Sequence, residues 1–214
     1  MLSTLVRGII ILLVLAGSLC AQNPASAVQL LVLDNDQVRI LRITLPAQAK
    51  FPTDSTSDTV AVRLADETAT FIPKGTQSVR DNPTDKEIVD LLIQPKHHWD
   101  PPVRPCAEPM RCTRETRMGK ETIVWTTTLF TNGFLTGTVH RVIRGGTLDS
   151  SYYSAKGSDQ VVVIPFTDMS VNFGGIDEAR KAGQPYFSTA SEVEVTGTDA
   201  EARWFVLRLN VPAK

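Results

Sequence analysis

Few side chains in this sequence combine the reactivity and the placement that acid–base chemistry or ligand binding requires. His140 lies in a segment of alternating polar and apolar residues, and imidazole is the side chain that most often transfers protons near neutral pH. Tyr152 and Tyr153 are adjacent, and paired phenol rings can stack on a sugar or an aromatic ligand. Together with Asp159, these residues are the candidate ligand-binding residues of the chain.

No second group completes a catalytic arrangement around these residues. A histidine base needs a carboxylate that orients it, and no carboxylate stands at a diagnostic spacing from His140. A lone strand histidine is more often a hydrogen-bonded structural residue, and one ring of a tyrosine pair often packs inward. The sequence has neither the G-x-S-x-G element of serine hydrolases nor a phosphate-binding loop. We therefore predict no catalytic residue.

The elements that must position these side chains are β-strands. The chain has 214 residues, enough for one large or two small domains, and its 13 glycines and 13 prolines are typical of an all-β protein with many turns. The net charge of −1 gives no electrostatic reason to expect nucleic acid as a partner. One short helix is predicted over residues 176–182 (Ile-Asp-Glu-Ala-Arg-Lys-Ala), ended by Gly183.

Residues 1–27 have the pattern of an export signal. Arg7 precedes an apolar stretch over residues 8–19, which is shorter than the ~20 residues of a membrane span. Small residues follow, and cleavage after Ala21 or Ala27 fits the pattern. Lipidation of Cys20 and an uncleaved anchor are the alternatives. We expect an exported protein, periplasmic or secreted, with no stable membrane span after cleavage.

Two cysteines remain in the mature chain, in a proline-rich segment. In an oxidising compartment Cys106 and Cys112 are expected to pair as a disulfide. The competing interpretation is a metal site that adds His97 and His98. Its spacing matches no zinc pattern, and adjacent histidines on an extended chain point to opposite sides. The sequence therefore favours the disulfide.

The sequence also contains two copies of one β-rich pattern. Asp-Ser followed by Ser-Asp-x-Val-x-Val occurs at residues 54–62 and again at residues 149–163. Each copy later ends in a strand, a polar turn and a strand, which is a hairpin signal. We predict two lobes, residues 28–96 and 122–214, joined by a linker of residues 97–121 that contains Pro and Arg and the expected disulfide.

Residues 72–82 carry a recognisable motif. Pro73, Gly75 and Asn82 reproduce the Pro-x-Gly and later Asn of the second sequence motif of cupin barrels. With the internal repeat, the chain resembles a bicupin, an all-β protein of two tandem small jelly-roll barrels. The resemblance implies an Fe, Mn, Ni or Zn ion held by three histidines and a glutamate, which come from a His-x-His…Glu motif and a later His.

None of those metal ligands stands at the matching positions. In the first copy, residues 53–56 (Thr-Asp-Ser-Thr) stand in the His-x-His region, Asp58 or Thr59 at the glutamate position and Ser78 at the last histidine position. In the second copy, Tyr152 and Ser154 stand at the histidine positions, Asp159 or Gln160 at the acidic position, and the last histidine position falls near Val193. A divalent ion needs several imidazole or carboxylate donors that converge on it. We therefore predict no metal and no cofactor.

These observations predict an exported, metal-free cupin-like protein with a non-catalytic binding or structural role. Its partner would be a small molecule or a protein, not nucleic acid, and the resemblance implies that a homodimer could form. The alternative is a metal-independent enzyme of the epimerase or isomerase type, acting on a carbohydrate or a small polar metabolite. That alternative requires His140, Tyr152 or Tyr153, and an aspartate in one cavity.

Overall fold

In the computed structural model, the described residues are 26–97, 102–108, 110–118, 122–132, 134–143, 147–148, 159–173, 176–188, 193–196 and 201–210. Every regular element within them is a β-strand, so the expectation of an all-β protein is confirmed there. No helix in this part of the chain is long and apolar enough to cross a membrane. The expected export signal lies almost wholly outside the described residues.

The first seven strands form two antiparallel sheets. Their bounds are β1 Val28–Asp34, β2 Val38–Leu45, β3 Lys50–Asp54, β4 Thr59–Arg63, β5 Thr68–Ile72, β6 Gln77–Asp81 and β7 Ile88–Pro95. Five of them make a sheet in the order β1-β2-β7-β4-β5, here called the first sheet. The other two, β3 and β6, pair with each other.

The later strands also divide between two sheets. Their bounds are β8 Arg104–Pro105, β9 Thr113–Met118, β10 Thr122–Thr131, β11 Leu135–Ile143, β12 Thr147–Leu148, β13 Asp159–Pro165, β14 Met169–Phe173, β15 Ile176–Arg180, β16 Tyr186–Ser188, β17 Val193–Thr196 and β18 Glu201–Asn210. The second sheet has the order β16-β13-β18-β11-β10-β8, and β9 also pairs with β10. A four-stranded sheet has the order β12-β17-β14-β15.

Five of the seven strands of the second sheet repeat the strand order of the first sheet. The order β1-β2-β7-β4-β5 corresponds to β10-β11-β18-β13-β16, while β8 and β9 have no counterpart. In both sheets the last long strand of the segment, β7 or β18, lies in the centre between its two antiparallel partners. The two halves of the chain are therefore built on the same plan around their larger sheets.

Three apolar cores hold the sheets together. The shared core lies between the first and second sheets and contains Val38, Ile40, Val60, Val62, Leu91, Ile93, Phe130, Leu135, Val162, Ile164, Phe205, Leu207 and Leu209. The first inner core covers the opposite face of the first sheet, and Phe51 of β3 packs against it. The second inner core covers the opposite face of the second sheet and includes Met169 of β14. The central strands of both large sheets are thus buried on both faces.

This double burial explains the sequence of the central strands. A strand with cores on both faces has no polar face, so it is apolar without interruption. The runs 91–93 (Leu-Leu-Ile), 161–164 (Val-Val-Val-Ile) and 204–207 (Trp-Phe-Val-Leu) are of this kind, and successive residues in each belong in turn to two different cores. β1 is different, because it is the edge of the first sheet and Val28 and Leu30 are largely exposed.

The predicted helix over residues 176–182 is wrong. Ile176–Arg180 is strand β15, paired antiparallel with β14 from Met169↔Arg180 to Phe173↔Ile176. Seven residues are too few for a stable isolated helix, so tertiary pairing overrides the local helix propensity. The Gly-Gly dipeptide that separates the two strands in the sequence is a hairpin signal that predicts this pairing.

The repeated Ser-Asp-x-Val-x-Val pattern does not mark equivalent strand positions. Val60 lies in the shared core, whereas its counterpart in the pattern, Val161, lies in the second inner core. Because successive strand residues point to opposite faces, a slip of one residue reverses every side chain. The match is therefore off by one residue, and Asp58 and Asp159 are not structural counterparts.

The disulfide prediction is confirmed. Cys106 and Cys112 are bonded, with their Cα atoms 6.5 Å apart. The segment is held in place by the second sheet, since the Cys106 N–H donates to Leu129 O at 2.7 Å and the Thr128 N–H donates to Cys112 O at 3.0 Å. The pairing removes both thiols from the competing metal interpretation.

Candidate functional site

A cavity of about 280 Å³ opens on the inner face of the first sheet, toward β3. We call it the first cavity. Its polar lining residues are Gln29, Arg39, Thr53, Asp54, Ser55, Thr56, Thr59 and Gln94, and its apolar ones are Leu41, Phe51, Pro52, Ile72 and Leu92. The sequence positions that correspond to the first metal-binding motif, residues 53–56, all lie in its wall.

The Pro-x-Gly part of the motif forms a tight turn beside this cavity. Gly75 has a φ of +79°, which glycine adopts without strain, and the Thr76 N–H donates to Pro73 O at 3.1 Å. The Gly75 N–H donates to Ser55 O at 2.7 Å, and the Ser55 N–H donates to Thr76 O at 3.3 Å. The turn therefore holds the backbone at Ser55, in the cavity wall.

The asparagine of the motif has a structural role. Asn82 is buried, and its side-chain amide donates to the carbonyl oxygens of Leu45 at 3.0 Å, Pro46 at 2.8 Å and Lys86 at 2.7 Å. Its Oδ1 accepts the N–H of Thr84 at 3.0 Å. One side chain thus fixes the turn between β6 and β7 to the end of β2.

Two hydroxyl groups in the wall of the first cavity, those of Thr53 and Ser55, bond to other hydroxyl groups. Thr53 Oγ1 lies 2.5 Å from Ser78 Oγ, and Ser55 Oγ lies 3.1 Å from Thr59 Oγ1. Asp58, a candidate for the acidic position, accepts the Lys74 N–H at 2.9 Å and so supports the turn. Neutral hydroxyls do not replace the imidazole and carboxylate donors that a divalent ion requires. The metal that cupins commonly hold does not fit these residues.

The described residues contain no group of three or more His, Cys, Asp or Glu side chains that could hold an ion. His97 is exposed at the end of the first half, and His98 lies outside the described residues.

A buried charge cluster lies in the same half of the chain and was not anticipated from the sequence. Asp90 of β7 is fully buried and accepts hydrogen bonds from Arg63 Nε at 3.0 Å, Arg63 Nη2 at 3.1 Å and Arg80 Nε at 2.7 Å. Arg63 belongs to β4 of the first sheet and Arg80 to β6, so the carboxylate ties two sheets together. Asp90 is the single charged residue of β7, a strand that is otherwise mostly apolar. A charge at such a position indicates a buried ion pair, and this was the signal in the sequence.

His140 faces the interior of the second half. It is 3% exposed, in β11, and its ring stacks on that of Trp204 with centroids 5.4 Å apart and planes 10° apart. Its Nδ1 lies 3.1 Å from Thr126 Oγ1 and its Nε2 lies 2.9 Å from Thr138 Oγ1. Both ring nitrogens therefore have hydroxyl partners.

This environment keeps the His140 imidazole neutral. Burial, and next the positive charge of Arg208, lower the pKa of His140 from 6.5 to about 3. At neutral pH the ring carries no proton that it could give up as an imidazolium, and it is a weak base. The geometry is that of a hydrogen-bonded structural histidine that lines a cavity, not of a general acid or base.

The cavity beside His140, which we call the second cavity, has a volume of about 230 Å³. It is lined by side chains of β10, β11 and β18: Thr126, Thr128, Thr136, Thr138, His140, Val206 and Arg208. Tyr152 and Tyr153 lie outside the described residues, as does the side chain of Asp159, so the predicted meeting of these groups with His140 is not tested. Arg39 lines the first cavity and Arg208 the second, and neither was anticipated from the sequence.

Comparisons with known proteins support a cupin-type fold. No family model matches the sequence, and no curated protein does. Among solved structures, vicilin from Capsicum annuum aligns at 7% identity and a TM-score of 0.59, covering 90% of this chain and 84% of that one. AerE from Microcystis aeruginosa aligns at 8% identity and 0.55, covering 86% and 98%. A cupin 2 conserved barrel domain protein from Leptotrichia buccalis aligns at 13% identity and 0.50, covering 87% and 90%. At such identities the likeness shows the fold alone.

Proposed function

We propose that this chain is an exported, non-catalytic binding protein made of two tandem cupin-type barrels, and that its first cavity binds a small polar molecule without a metal. One observation carries the proposal. At the positions where cupins commonly hold metal ligands, the hydroxyl side chains of Thr53, Ser55, Thr56 and Thr59 line an open cavity. Thr53 bonds to the hydroxyl of Ser78, and Ser55 bonds to that of Thr59.

The lining of the first cavity favours one class of ligand. Gln29, Arg39 and Gln94 offer amide and guanidinium groups, while Phe51 and Leu92 offer apolar surface. A monosaccharide or a similar polyol has hydroxyls and a carbon face that match such a wall. The volume of about 280 Å³ is near the lower limit of the roughly 300–1,000 Å³ of drug-sized pockets. The ligand is therefore small.

Two features support the tandem-barrel part of the proposal. The first sheet and five strands of the second have the same strand order, and each sheet carries its own inner core on the face away from the other. Each large sheet with the smaller sheet beside it makes one barrel. The exposed apolar edge strand β1 is the place where the expected homodimer would form, and light scattering of the purified protein measures its mass.

The enzyme alternative receives no support from the described residues. It needs a histidine that exchanges a proton near neutral pH, whereas His140 is buried and its pKa is lowered to about 3. A non-catalytic role agrees with this environment.

Thermal-shift screening followed by calorimetric titration tests the proposal. The purified mature protein is screened against monosaccharides, polyols and small neutral metabolites, and a hit is then titrated into Thr53→Val, which removes a hydroxyl from the cavity wall. Thr44→Val is the matched control, because Thr44 lies in the neighbouring strand β2 and does not line the cavity. We expect weaker binding by Thr53→Val alone. Equal binding by both variants would place the ligand elsewhere.

Export and metal content are measured on the same preparation. The mass of the protein recovered from the periplasm or the medium is expected to correspond to cleavage after Ala21 or Ala27. Elemental analysis of protein purified without chelator is expected to find no stoichiometric transition metal. One tightly held ion per chain would refute the metal-free part of the proposal.

A further inference from the structure

A groove between the two halves of the chain runs beside strand β1. It has a volume of about 490 Å³, and we call it the edge groove. Leu30, Leu31, Val32 and Arg42 line it from the first half, and the segment of residues 183–185 lines it from the second. None of these residues lines the first or the second cavity. The edge groove is therefore a separate site.

The edge groove follows the outer edge of β1 and not one of its faces. In the pairing of β1 with β2, Leu30 lies opposite Arg42 and Leu31 lies opposite Leu41. Successive strand residues point to opposite faces of a sheet, yet both leucines line the groove. They are 60% and 49% exposed. An edge strand with exposed apolar side chains is a template on which a further strand can pair.

The second half of the chain shows how such an edge is covered. β10 is the counterpart of β1, and its outer edge pairs antiparallel with β9 from Thr122↔Met118 to Thr127↔Thr113. β9 belongs to the chain segment that precedes β10. In the described part of the chain, β1 is the end strand of the first sheet and has no such cover.

The mature chain is too short before β1 to cover that edge itself, a step that rests on the proposed signal cleavage. Cleavage after Ala21 leaves residues 22–27, and cleavage after Ala27 leaves none of them. Residues 26 and 27 form no turn, and Ala27 packs against the first inner core. The remaining residues 22–25 are too few for a turn and a strand. A covering strand would therefore come from another polypeptide.

The charge of the edge groove favours an acidic segment over a second copy of β1. The described lining contains two arginines and no carboxylate side chain. Arg180 pairs with Glu178, whereas Arg42 is exposed and makes no ion pair within the described residues. A second β1 would bring only the carboxylate of Asp34, which already pairs with Lys96 at 2.6 Å. A partner with its own acidic residue complements Arg42 better.

We propose that the outer edge of β1 binds an extended acidic segment of a partner protein as an added antiparallel strand. Pairing covers residues 28–31, because the register of β1 shifts between Leu31 and Leu33. An acidic side chain of the added strand lies on the face of Leu30 and Arg42, and its neighbours lie on the face of Leu31. Main-chain hydrogen bonds supply the affinity, and the alternating side chains supply the specificity. The proposed homodimer uses the same edge, so segment and dimer exclude each other.

The test is fluorescence anisotropy of a labelled peptide, Thr-Val-Glu-Val-Thr-Val, titrated with the full mature chain, whose mass shows where the signal was cleaved. Alternate N–H groups of a strand point to opposite edges, so an added strand uses only every second one. Two further peptides carry N-methyl groups either on the three valines or on the other three residues. We expect saturable binding that only one of these two sets weakens, by about tenfold or more.

Arg42 is tested by charge reversal in the peptide. Replacing its glutamate with lysine is expected to weaken binding about two- to fivefold, the range of an exposed ion pair. Arg42→Gln should remove this preference for glutamate. Arg117→Gln is the matched control, because Arg117 is an exposed arginine of β9 that does not line the groove, and it should keep the preference.

The edge itself is tested by a second pair of variants. Leu30→Lys places a charge on the edge strand beside Arg42, whereas Val79→Lys changes a side chain of β6 that is 58% exposed and lies outside the groove. Weaker binding by Leu30→Lys alone supports the proposal. Lack of saturable binding, equal effects of the two N-methylated peptides, or equal binding by Leu30→Lys and Val79→Lys would overturn it.

The result is distinct from those of the functions proposed above. A mature chain that is monomeric by light scattering and binds the peptide refutes the homodimer and supports the added strand, whereas a dimer that binds no peptide does the reverse. Leu30→Lys is expected to keep the polyol binding of the first cavity, because Leu30 does not line that cavity.

Discussion

The carboxylate of Asp90 should contribute more to stability than any exposed ion pair of this chain. It is 0% exposed and holds two arginines whose side chains are 16% and 15% exposed, at Arg63 and Arg80. Asp90→Asn preserves the shape but leaves two largely buried guanidinium groups without their counter-charge. Removing one partner from a buried ion pair typically costs about 3–5 kcal/mol. We expect a loss of that size in the free energy of unfolding.

Urea denaturation followed by two probes measures this loss. The three tryptophans, Trp99, Trp125 and Trp204, lie in the linker and the second half. Tryptophan fluorescence therefore has no probe within residues 28–96, while far-UV circular dichroism reports on all strands. Because the two large sheets share a core, we expect both probes to shift together to lower urea. Asp34→Asn is the control, since Asp34 pairs with Lys96 at the surface and the change should leave the midpoint where it was.

Two outcomes would refute this reasoning. A loss below about 1 kcal/mol in Asp90→Asn would mean that water or other groups compensate the two arginines. The triple variant Asp90→Leu, Arg63→Met and Arg80→Met leaves no buried charge unpaired and should recover part of the loss. If the triple variant were less stable than Asp90→Asn, the cluster would be stabilising through something other than charge balance.

Three further predictions concern the second half. The pKa of His140 is about 3 in the folded protein, below its ordinary value of 6.5. The stabilisation that comes from the neutral ring is therefore complete above pH 6.5 and is lost as the pH falls toward 3, by up to about 1.4 kcal/mol per pH unit. The variant His140→Gln should lose this pH dependence in denaturation measurements, and an unchanged slope would contradict the prediction. In Gly137→Ala the new Cβ would lie 2.3 Å from the Phe130 ring, and we expect this clash to lower the free energy of unfolding by about 1–3 kcal/mol. A double-mutant cycle with Phe130→Leu should show that the effects of the two changes are not additive. Reduction of Cys106–Cys112 should lower stability by about 2 kcal/mol at most, because the closed loop is short; a larger loss by calorimetry would show a wider role.

The strands and the motif turn could be predicted from the sequence because their causes are local. The apolar run at residues 91–93 needs burial on both sides, and Gly75 supplies the positive φ that the turn requires. The cysteine pair was likewise predictable from spacing and context. In each case the neighbouring residues contain the physical reason, so no distant contact had to be known.

The rest depended on contacts between distant residues. Residues 176–182 have helical propensity, yet pairing with β14 decides their conformation. The one-residue slip at Val60 and Val161 could not be detected without knowing which core each side chain enters. Asp90 and its arginines come from three strands, and the second cavity joins Thr126, His140 and Arg208 from three others, so spacing along the chain gave no sign of either. The positions of Tyr152 and Tyr153 stay a prediction.

The shared core has a consequence for how the chain could be divided. Six of its residues come from the first sheet and seven from the second half of the chain, so neither half covers its own inward face. A fragment that ends before residue 97, expressed alone, would expose a continuous apolar surface and aggregate or seek a partner. Two fragments made by cutting within residues 97–105 should instead reassociate without a covalent link, since the Cys106–Cys112 bond closes only its own loop. The protein is therefore suited to fragment complementation, in which restored ligand binding at the first cavity or in the edge groove shows that the two fragments have associated.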